Sequence, residues 1–510
     1  MQLLNSIFSW WMKKRMHQID LFVKYPNEVQ KEWFIELIES ARNTEFGSKY
    51  NFAKIETENQ FKDSVPVNDY DDLKPYISRI MAGEQKILWP TETKWFAKSS
   101  GTTSDKSKFI PVTKEALEEC HYKGGKDMLS IYCDKYEDTQ VFTGKTLMMG
   151  GSSQSIDPNT DSYQGDLSSI IIRNLPFWAE IRRTPDQETA LMKDFEKKLE
   201  RMSIITADEN VTSLSGVPSW MLVLLNKVLA QKGINDISNI WPNLEVFFHG
   251  GVSFTPYREQ FEKIISLPKM RYMETYNASE GFFGIQDLST DSELLLMLDY
   301  GIYYEFAPME EWNNKFPKTL TLDEVETGVN YALIISTNAG LWRYKIGDTI
   351  CFTSKYPFRF KVSGRTKHFM NAFGEEVIIE NAENALAFAC QFTGAQIEEY
   401  TAAPVYLTNE NSGRHEWLIE FNKSPENLEA FAEALDHRLQ QINSDYEAKR
   451  KGNMALEFPI IRKMERGTFY AWLKHKGKLG GQNKVPRLSN DRKFIEEILG
   501  RNSQVKKEVV

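Results

Sequence analysis

The stretch KSSGTTSDKSKFIPVT, from Lys98 to Thr113, places seven Ser or Thr, one Gly and three Lys in sixteen residues. A turn of this composition offers backbone N–H groups and hydroxyls to an oxyanion, and Gly101 would let a ligand approach the backbone closely. Lys106 and Lys108 add charge suited to outer phosphates. The Walker pattern G-x-x-x-x-G-K-[ST] is not met, because no second Gly precedes the lysine. Alone, the stretch reads more readily as a solvated polar loop than as a phosphate cradle.

Four later clusters bear on that choice. METYNASEGFFG holds Tyr276, Ser279 and Glu280 in a tight turn. An aromatic ring can stack on a base, a hydroxyl can hold a phosphate, and a carboxylate can bind Mg²⁺. In LWRYKIGDTI, Asp348 follows Gly347, and a carboxylate there can accept both hydroxyls of a ribose. VSGRTKHFMNAFGEEV contains Gly364, Arg365 and Lys367, and LGGQNKVPRL presents Lys484 in a Gly-rich turn. Each cluster has a plain alternative as a strand-end turn or surface charge.

The elements that must position these groups are legible as an alternation. KTLMMGG from Lys145 and NLEVFFHGG from Asn243 read as buried strands ending in glycines. TADENVTSLSGVPSWMLVLLNKVLAQKG reads as a strand, a turn and a helix stopped by Gly233. SELLLMLDYGIYYEFAP and VNYALIISTNAGLWRYKIGD read as further strands around turns. Near the start, NEVQKEWFIELIESARN reads as a helix with Val29, Phe34, Leu37, Ile38 and Ala41 on one face, capped through Asn27 and Gln30. Pro66 and Pro75 suggest short linked elements after Phe61. The pattern argues for α/β architecture, with ligands where strands end in Gly-rich turns. HEWLIEF and PENLEAFAEALDHRLQQIN, a strand and a strong helix, belong to a separate C-terminal domain.

The 510 residues suffice for several domains, and 41% hydrophobic with 26% charged residues excludes disorder as the main state. A net charge of −9 with no basic field excludes nucleic acid as the expected partner. Cys120, Cys133, Cys351 and Cys390 lack C-x-x-C spacing and read as reduced thiols of a cytoplasmic protein. MQLLNSIFSWWMKKRMHQ carries its charges after the apolar run, unlike a signal peptide. An amphipathic helix packed on the body is expected there, with a membrane-surface helix as the alternative. WMLVLL, the longest apolar run elsewhere, is too short to span a bilayer.

Taken in order, the five clusters resemble the motifs of the adenylate-forming superfamily of acyl-CoA ligases, adenylation domains and luciferases. SSGTTSDKSKFIPVT is similar to one branch, the auxin-responsive Gretchen Hagen family of acyl acid amido synthetases. That branch has Lys-x-Ile-Pro where acyl-CoA ligases usually have Gly-x-Pro-Lys. AGLWRYKIGD, FHGGVSFTPY and NKVPRL resemble its patterns too, with Trp342 in place of a Tyr. The resemblance runs from the first helix to Leu488.

It implies a large N-terminal multi-layer α/β domain with mixed sheets over 1–363. A small, mobile α+β C-terminal lid domain over 364–510 would follow, hinged at 364–367. It further implies ATP and Mg²⁺, a carboxylic acid and an amine, the latter an amino acid, with an acyl-adenylate between them. Carried residue by residue, Ser99, Ser100, Gly101, Thr102 and Thr103 with Lys108 would hold the β- and γ-phosphates. Tyr276 would stack on adenine, opposite the backbone of Gly250 and Gly251. Ser279 would touch the α-phosphate, Glu280 would bind Mg²⁺ and Asp348 the ribose. Lys484 would neutralise charge developing at the α-phosphate. Arg365 would join Lys108 and Lys484 as a catalytic cation, and Lys367 would be the hinge residue. His368 departs from the acidic residue often found next. Trp220, Val252 and Phe254 would wall the acyl pocket, although Trp220 reads equally as core. An acyl-CoA ligase and a non-catalytic nucleotide or acyl-acid binder are the competing readings.

Overall fold

A computed structural model of the chain describes residues 2–99, 108–156, 161–251, 254, 257–288, 293–312, 314, 316–365, 370, 375, 377–406, 413–450, 456–479, 484–489 and 492–508. Ser100, Gly101, Thr102, Thr103, Lys106, Val252, Lys367 and His368 lie outside them. The chain forms two compact units, Met1–Val252 with Glu262–Lys361, and Ser253–Phe261 with Val362–Val510.

The first unit is built on an eleven-stranded mixed sheet. Its parallel part runs through Arg183–Thr184, Lys145–Met148, Val211–Gly216, Val246–Gly250 and Arg271–Ala278. From there Gly281–Ile285, Leu294–Leu296 and Phe358–Arg365 continue antiparallel, and Tyr344–Lys355, Asn330–Thr337 and Ile302–Pro308 form the far end. Of these, Val246–Gly250 has the continuous apolar run, Val246, Phe247 and Phe248, that suits a strand buried on both faces. The helix Pro218–Lys232 follows the strand that ends at Gly216, as the alternation predicts. Pro218 takes its first turn, where a missing N–H costs nothing, and Gly233 closes it at φ 68°. Its Trp220, Met221, Leu224, Leu225 and Val228 are buried.

The helix Pro26–Ala41 lays Phe34, Leu37, Ile38 and Ala41 into the core, as predicted. Its start differs: Pro26 opens the helix and no side chain caps it. Gln30 is buried instead. It donates to the carbonyls of Leu298 (2.9 Å) and Ile302 (3.0 Å) and accepts from Tyr304 N–H (2.9 Å). Satisfying three backbone groups at a strand end outweighs capping a helix that Pro26 already initiates. Pro75 also falls inside a helix, Tyr70–Met81, rather than between elements. Asp69 and Asp72 form a reciprocal cap that fixes this helix from its start.

The second unit has a three-stranded sheet of Gln396–Tyr406, Gly413–Lys423 and Ile460–Met464. The helices Ile379–Thr393 and Leu428–Ile442 bury Leu386, Phe431, Leu435 and Leu439 with Trp417 and Ile419. Asn427 caps the second helix by accepting from Glu429 N–H and Ala430 N–H. The four cysteines are free thiols. Among the described residues, no helix is long and apolar enough to cross a membrane.

Candidate nucleotide site

Three parallel strands end together. Gly216 pairs with His249, and Gly250 with Thr275, so their C-terminal ends align at one edge of the sheet. Ligands gather at such edges in open α/β sheets. A Cβ on Gly250 would stand 2.4 Å from the Thr275 carbonyl oxygen, so only glycine lets these strands converge. Gly251 follows at φ 83°, a left-handed conformation that glycine adopts without strain.

Past this edge, Arg271–Ala278 reverses into Gly281–Ile285 with Ala278 opposite Gly281. Ser279 and Glu280 are therefore the two turn residues of a tight hairpin. Turns normally face water, yet these polar residues are only 4% and 9% exposed. Tyr276 precedes them, packed on Phe283 (4.9 Å between ring centroids) and Phe360 (6.1 Å). Its hydroxyl lies 2.5 Å from Asp348 Oδ2 and donates to that buried carboxylate. The two residues assigned to adenine and ribose are thus joined across 72 positions of sequence.

Asp348 lies on the strand Tyr344–Lys355, whose start is braced by Asn68. Asn68 N–H donates to Arg343 O (2.9 Å), its carbonyl accepts from Lys345 N–H (2.8 Å), and its amide donates to Trp342 O (2.8 Å). Tyr344 is wholly buried, and burial together with the charge of Glu280 holds its phenol far above the ordinary tyrosine range. Ser279 Oγ and Tyr344 OH are both buried, and neither has a hydrogen-bond partner among the described residues. Orphaned hydroxyls are rare in protein interiors and suit a ligand that supplies oxyanions. The turn therefore fits a nucleotide phosphate. Mg²⁺ is commonly held by one or two carboxylates plus substrate phosphates, which suits Glu280 as its single protein ligand. Among the described residues, no group of three or more His, Cys, Asp or Glu forms a metal cage of its own.

The phosphate-loop stretch becomes two antiparallel strands, Trp95–Ser99 and Lys108–Val112, with Ser99 opposite Lys108. Residues 100–107 lie between them, outside the described residues. Tyr70 OH accepts from Phe109 N–H (2.9 Å), and Lys108 Nζ lies 5.8 Å from the Tyr70 ring centroid. Thr113 ties the end of the stretch to the Asn338 carbonyl (2.8 Å). Neither Tyr70 nor Tyr344 was singled out in the sequence. Tyr344 sits inside a recognised motif, but nothing in the chain marks Tyr70, 39 positions from its partner.

Beneath the hairpin runs a π-helical segment, Ala116–Tyr122, a geometry frequent at functional sites. Cys120 Sγ accepts from Phe282 N–H (3.2 Å), and burial pushes its thiol up to about 12. His121 is buried beside Asn277, and burial, outweighing that hydrogen bond, lowers it to about 4. In the folded state the ring is neutral at pH 7. Between pH 6.5 and about 4 the unfolded chain binds a proton that the folded chain refuses. Stability is thus complete above pH 6.5 and falls with pH through this window. We expect His121→Gln to flatten the acid limb of the Tm-against-pH curve; an unchanged limb would remove His121 as its cause.

Lys484 and Phe254 belong to the second unit. Lys484 precedes a segment pinned to the strand Gln396–Tyr406. There Leu488 bridges Ala402, Thr401 Oγ1 donates to Pro486 O (2.6 Å), and Ala402 N–H to Arg487 O (2.9 Å). Arg487 pairs with Glu399 and donates to Tyr257 OH (3.1 Å). Phe254 packs on Phe261 with Arg258 over its ring. Trp220 belongs to the first unit, edge-on to Phe195 at 4.9 Å. Arg365 ends the strand Phe358–Arg365.

Comparison with known proteins shows what the chain is similar to. Residues 15–270 match the GH3 family N-terminal domain, 295–365 its central domain and 380–493 its C-terminal domain. The indole-3-acetic acid-amido synthetase GH3.3 of Arabidopsis thaliana is 25% identical over 93% of this chain and 91% of its own. The jasmonoyl–L-amino acid synthetase JAR4 of Nicotiana attenuata is 22% identical over 92% of each. Among solved structures, GH3.15 acyl acid amido synthetase aligns over 96% of both chains with a TM-score of 0.78 and 16% identity. A 2-hydroxyisobutyryl-CoA ligase aligns over 93% of this chain and 91% of its own, with a TM-score of 0.60 and 12% identity. The fold is the α/β fold these ligases share.

Proposed function

The chain belongs to the GH3 family, and from that premise we propose that it is an ATP-dependent acyl acid amido synthetase. The observation that carries this reading is the buried Ser279–Glu280 turn beside the hydrogen-bonded Tyr276–Asp348 pair.

In the first step a substrate carboxylate oxygen forms a bond to the ATP α-phosphorus, and the bond to the bridging oxygen of pyrophosphate breaks. This asks for alignment and charge neutralisation rather than covalent help from the protein. Tyr276 stacks on adenine, with its hydroxyl held by Asp348, which accepts the ribose hydroxyls. Gly250 and Gly251 line the opposite side. Ser279 Oγ donates to the α-phosphate, while Ser99 to Thr103 and Lys108 hold the outer phosphates. Glu280 would hold Mg²⁺, which would supply positive charge against the phosphate oxygens. Lys484 and Arg365 add cationic charge from the C-terminal part.

In the second step an amine nitrogen bonds to the acyl carbon, the carbon–oxygen bond to AMP breaks, and the amine proton leaves. A lid domain over 364–510, turning about Lys367, withdraws Lys484 between the steps. By the same resemblance, Trp220, Val252 and Phe254 are the residues we assign to recognition of the acyl acid.

The test is incubation with ATP, Mg²⁺ and panels of carboxylic acids and amino acids. AMP and an amide are expected. A thioester formed only with coenzyme A would overturn the amide assignment in favour of an acyl-CoA ligase. ATP binding with no acid-dependent pyrophosphate exchange would leave a non-catalytic binder.

A further inference from the structure

The helix Gln2–Lys13 is apolar on two sides. Inward, Met12 is fully buried, Phe8 packs on Phe142, and Asn5 donates to Thr139 O and accepts from Phe142 N–H. Outward, Ile7, Trp10, Trp11 and Lys14 recur at positions i, i+3, i+4 and i+7, a second stripe. A helix lying on a water-facing surface should be polar there, yet Ile7 is 51%, Trp10 60% and Trp11 39% exposed.

The stripe continues onto a neighbouring element. Trp11 meets Trp178 edge to face at 6.1 Å, and beside Trp178 stand Phe177, 82% exposed, and Ile181, 57% exposed. Lysines lie against the tryptophans, Lys14 Nζ 3.8 Å from the Trp10 ring centroid and Lys126 Nζ 4.4 Å from Trp11. The chain carries −9 overall, but its first nineteen residues hold no acid and present Lys13 and Lys14, while Arg15 is buried between Asp127 and Asp299. Nearby carboxylates are mostly answered: Arg15 binds Asp127, and Arg183 binds Glu180. Exposed Glu137 faces Lys13 at 3.9 Å.

We propose that this face docks the protein on an anionic lipid bilayer, Ile7, Trp10, Trp11, Phe177 and Ile181 entering the interface and Lys13, Lys14 and Lys126 meeting the headgroups. Tryptophan and phenylalanine favour the depth where acyl chains meet headgroups, and lysines beside them add attraction to negative lipid. A second protein surface would satisfy the apolar stripe but gives no reason for the local reversal of charge. The attachment is peripheral.

The test uses the full chain in flotation with phosphatidylcholine vesicles, with and without phosphatidylserine, at low and raised salt. Binding is expected only with phosphatidylserine and is expected to weaken with salt. Trp10→Ser with Phe177→Ser, and separately Lys13→Glu with Lys14→Glu, should each lower it by about tenfold or more, equivalent to about 1.4 kcal/mol. Should the double variants fail to fold, Trp10→Gln alone replaces a mostly exposed ring and should still weaken binding. Failure to float with phosphatidylserine, or equal flotation of folded variants, overturns the proposal. So does a dimer in sedimentation velocity that Trp10→Gln dissociates, which would assign the face to a second copy of this chain.

Discussion

Lys484→Ala is expected to lower acid-dependent pyrophosphate release by about 10²–10³-fold, the loss typical when a donor aimed at developing charge is removed. On the proposed mechanism the lysine acts where the α-phosphate crowds with negative charge. The buried residues after it, Val485 to Leu488, are pinned to the strand Gln396–Tyr406, so the truncation should not disturb the fold. Two readouts separate this role from a structural one. Thermal unfolding should stay unchanged, and amide formation from prepared acyl-adenylate should keep its rate, because charge no longer builds on pyrophosphate. A variant that adenylates at the wild-type rate would sink the assignment. One that loses both steps equally would make Lys484 a structural or binding residue.

The largest effect on stability is expected at Arg343→Ala, about 3–5 kcal/mol, the loss typical of breaking one side of a buried ion pair. Arg343 and Glu305 are fully buried and bonded through two contacts, Nε to Oε2 at 3.0 Å and Nη2 to Oε1 at 2.8 Å. The guanidinium also donates to the carbonyls of Lys62 (2.8 Å) and Val65 (2.6 Å) and to Thr319 Oγ1 (3.2 Å). Its backbone sits at φ 43°, left-handed and unfavourable for a side chain of this size. These bonds hold the chain in that turn just before Tyr344 and Asp348 enter the site. Removing arginine leaves Glu305 buried without its cation. Chemical unfolding should therefore show a loss much larger than for surface arginines. Arg343→Met with Glu305→Leu should recover part of it by removing both charges. If the single variant lost less than about 1 kcal/mol, the pair would not be the brace described here.

The chain alone made much of this legible, for local reasons. Gly233 is read as a helix stop because a left-handed end residue suits glycine, and it stands at φ 68°. Ser279 and Glu280 are read as a tight turn because Gly281 follows them, and the hairpin reverses there. The apolar runs from Lys145 and Asn243 are read as strands because they are short and end in glycines, and Lys145–Met148 and Val246–Gly250 are strands. Sequence pattern marked Tyr276, Asp348 and Lys484 as separate clusters, and their order along the chain carried the family resemblance.

Contacts between distant segments were not legible. Gln30 looked like half of a helix cap, and only the approach of Leu298, Ile302 and Tyr304 turned it into a buried strand clamp. No local pattern couples Tyr70 to Phe109, Tyr276 to Asp348 or Arg343 to Glu305, because each partner is chosen by the sheet order. The same holds for the N-terminal helix. The charges that follow its apolar run pointed to an amphipathic helix, but which apolar stripe faces the core depends on what the body offers at Phe142 and Thr139. Sequence by itself determined the element types, the motif residues and their order, since these follow from local propensity and side-chain chemistry. The tertiary structure alone decided which of those groups meet and which hydroxyls are buried without partners among the described residues. It also decided which aromatic rings are left in water, because burial and pairing belong to the packed sheet.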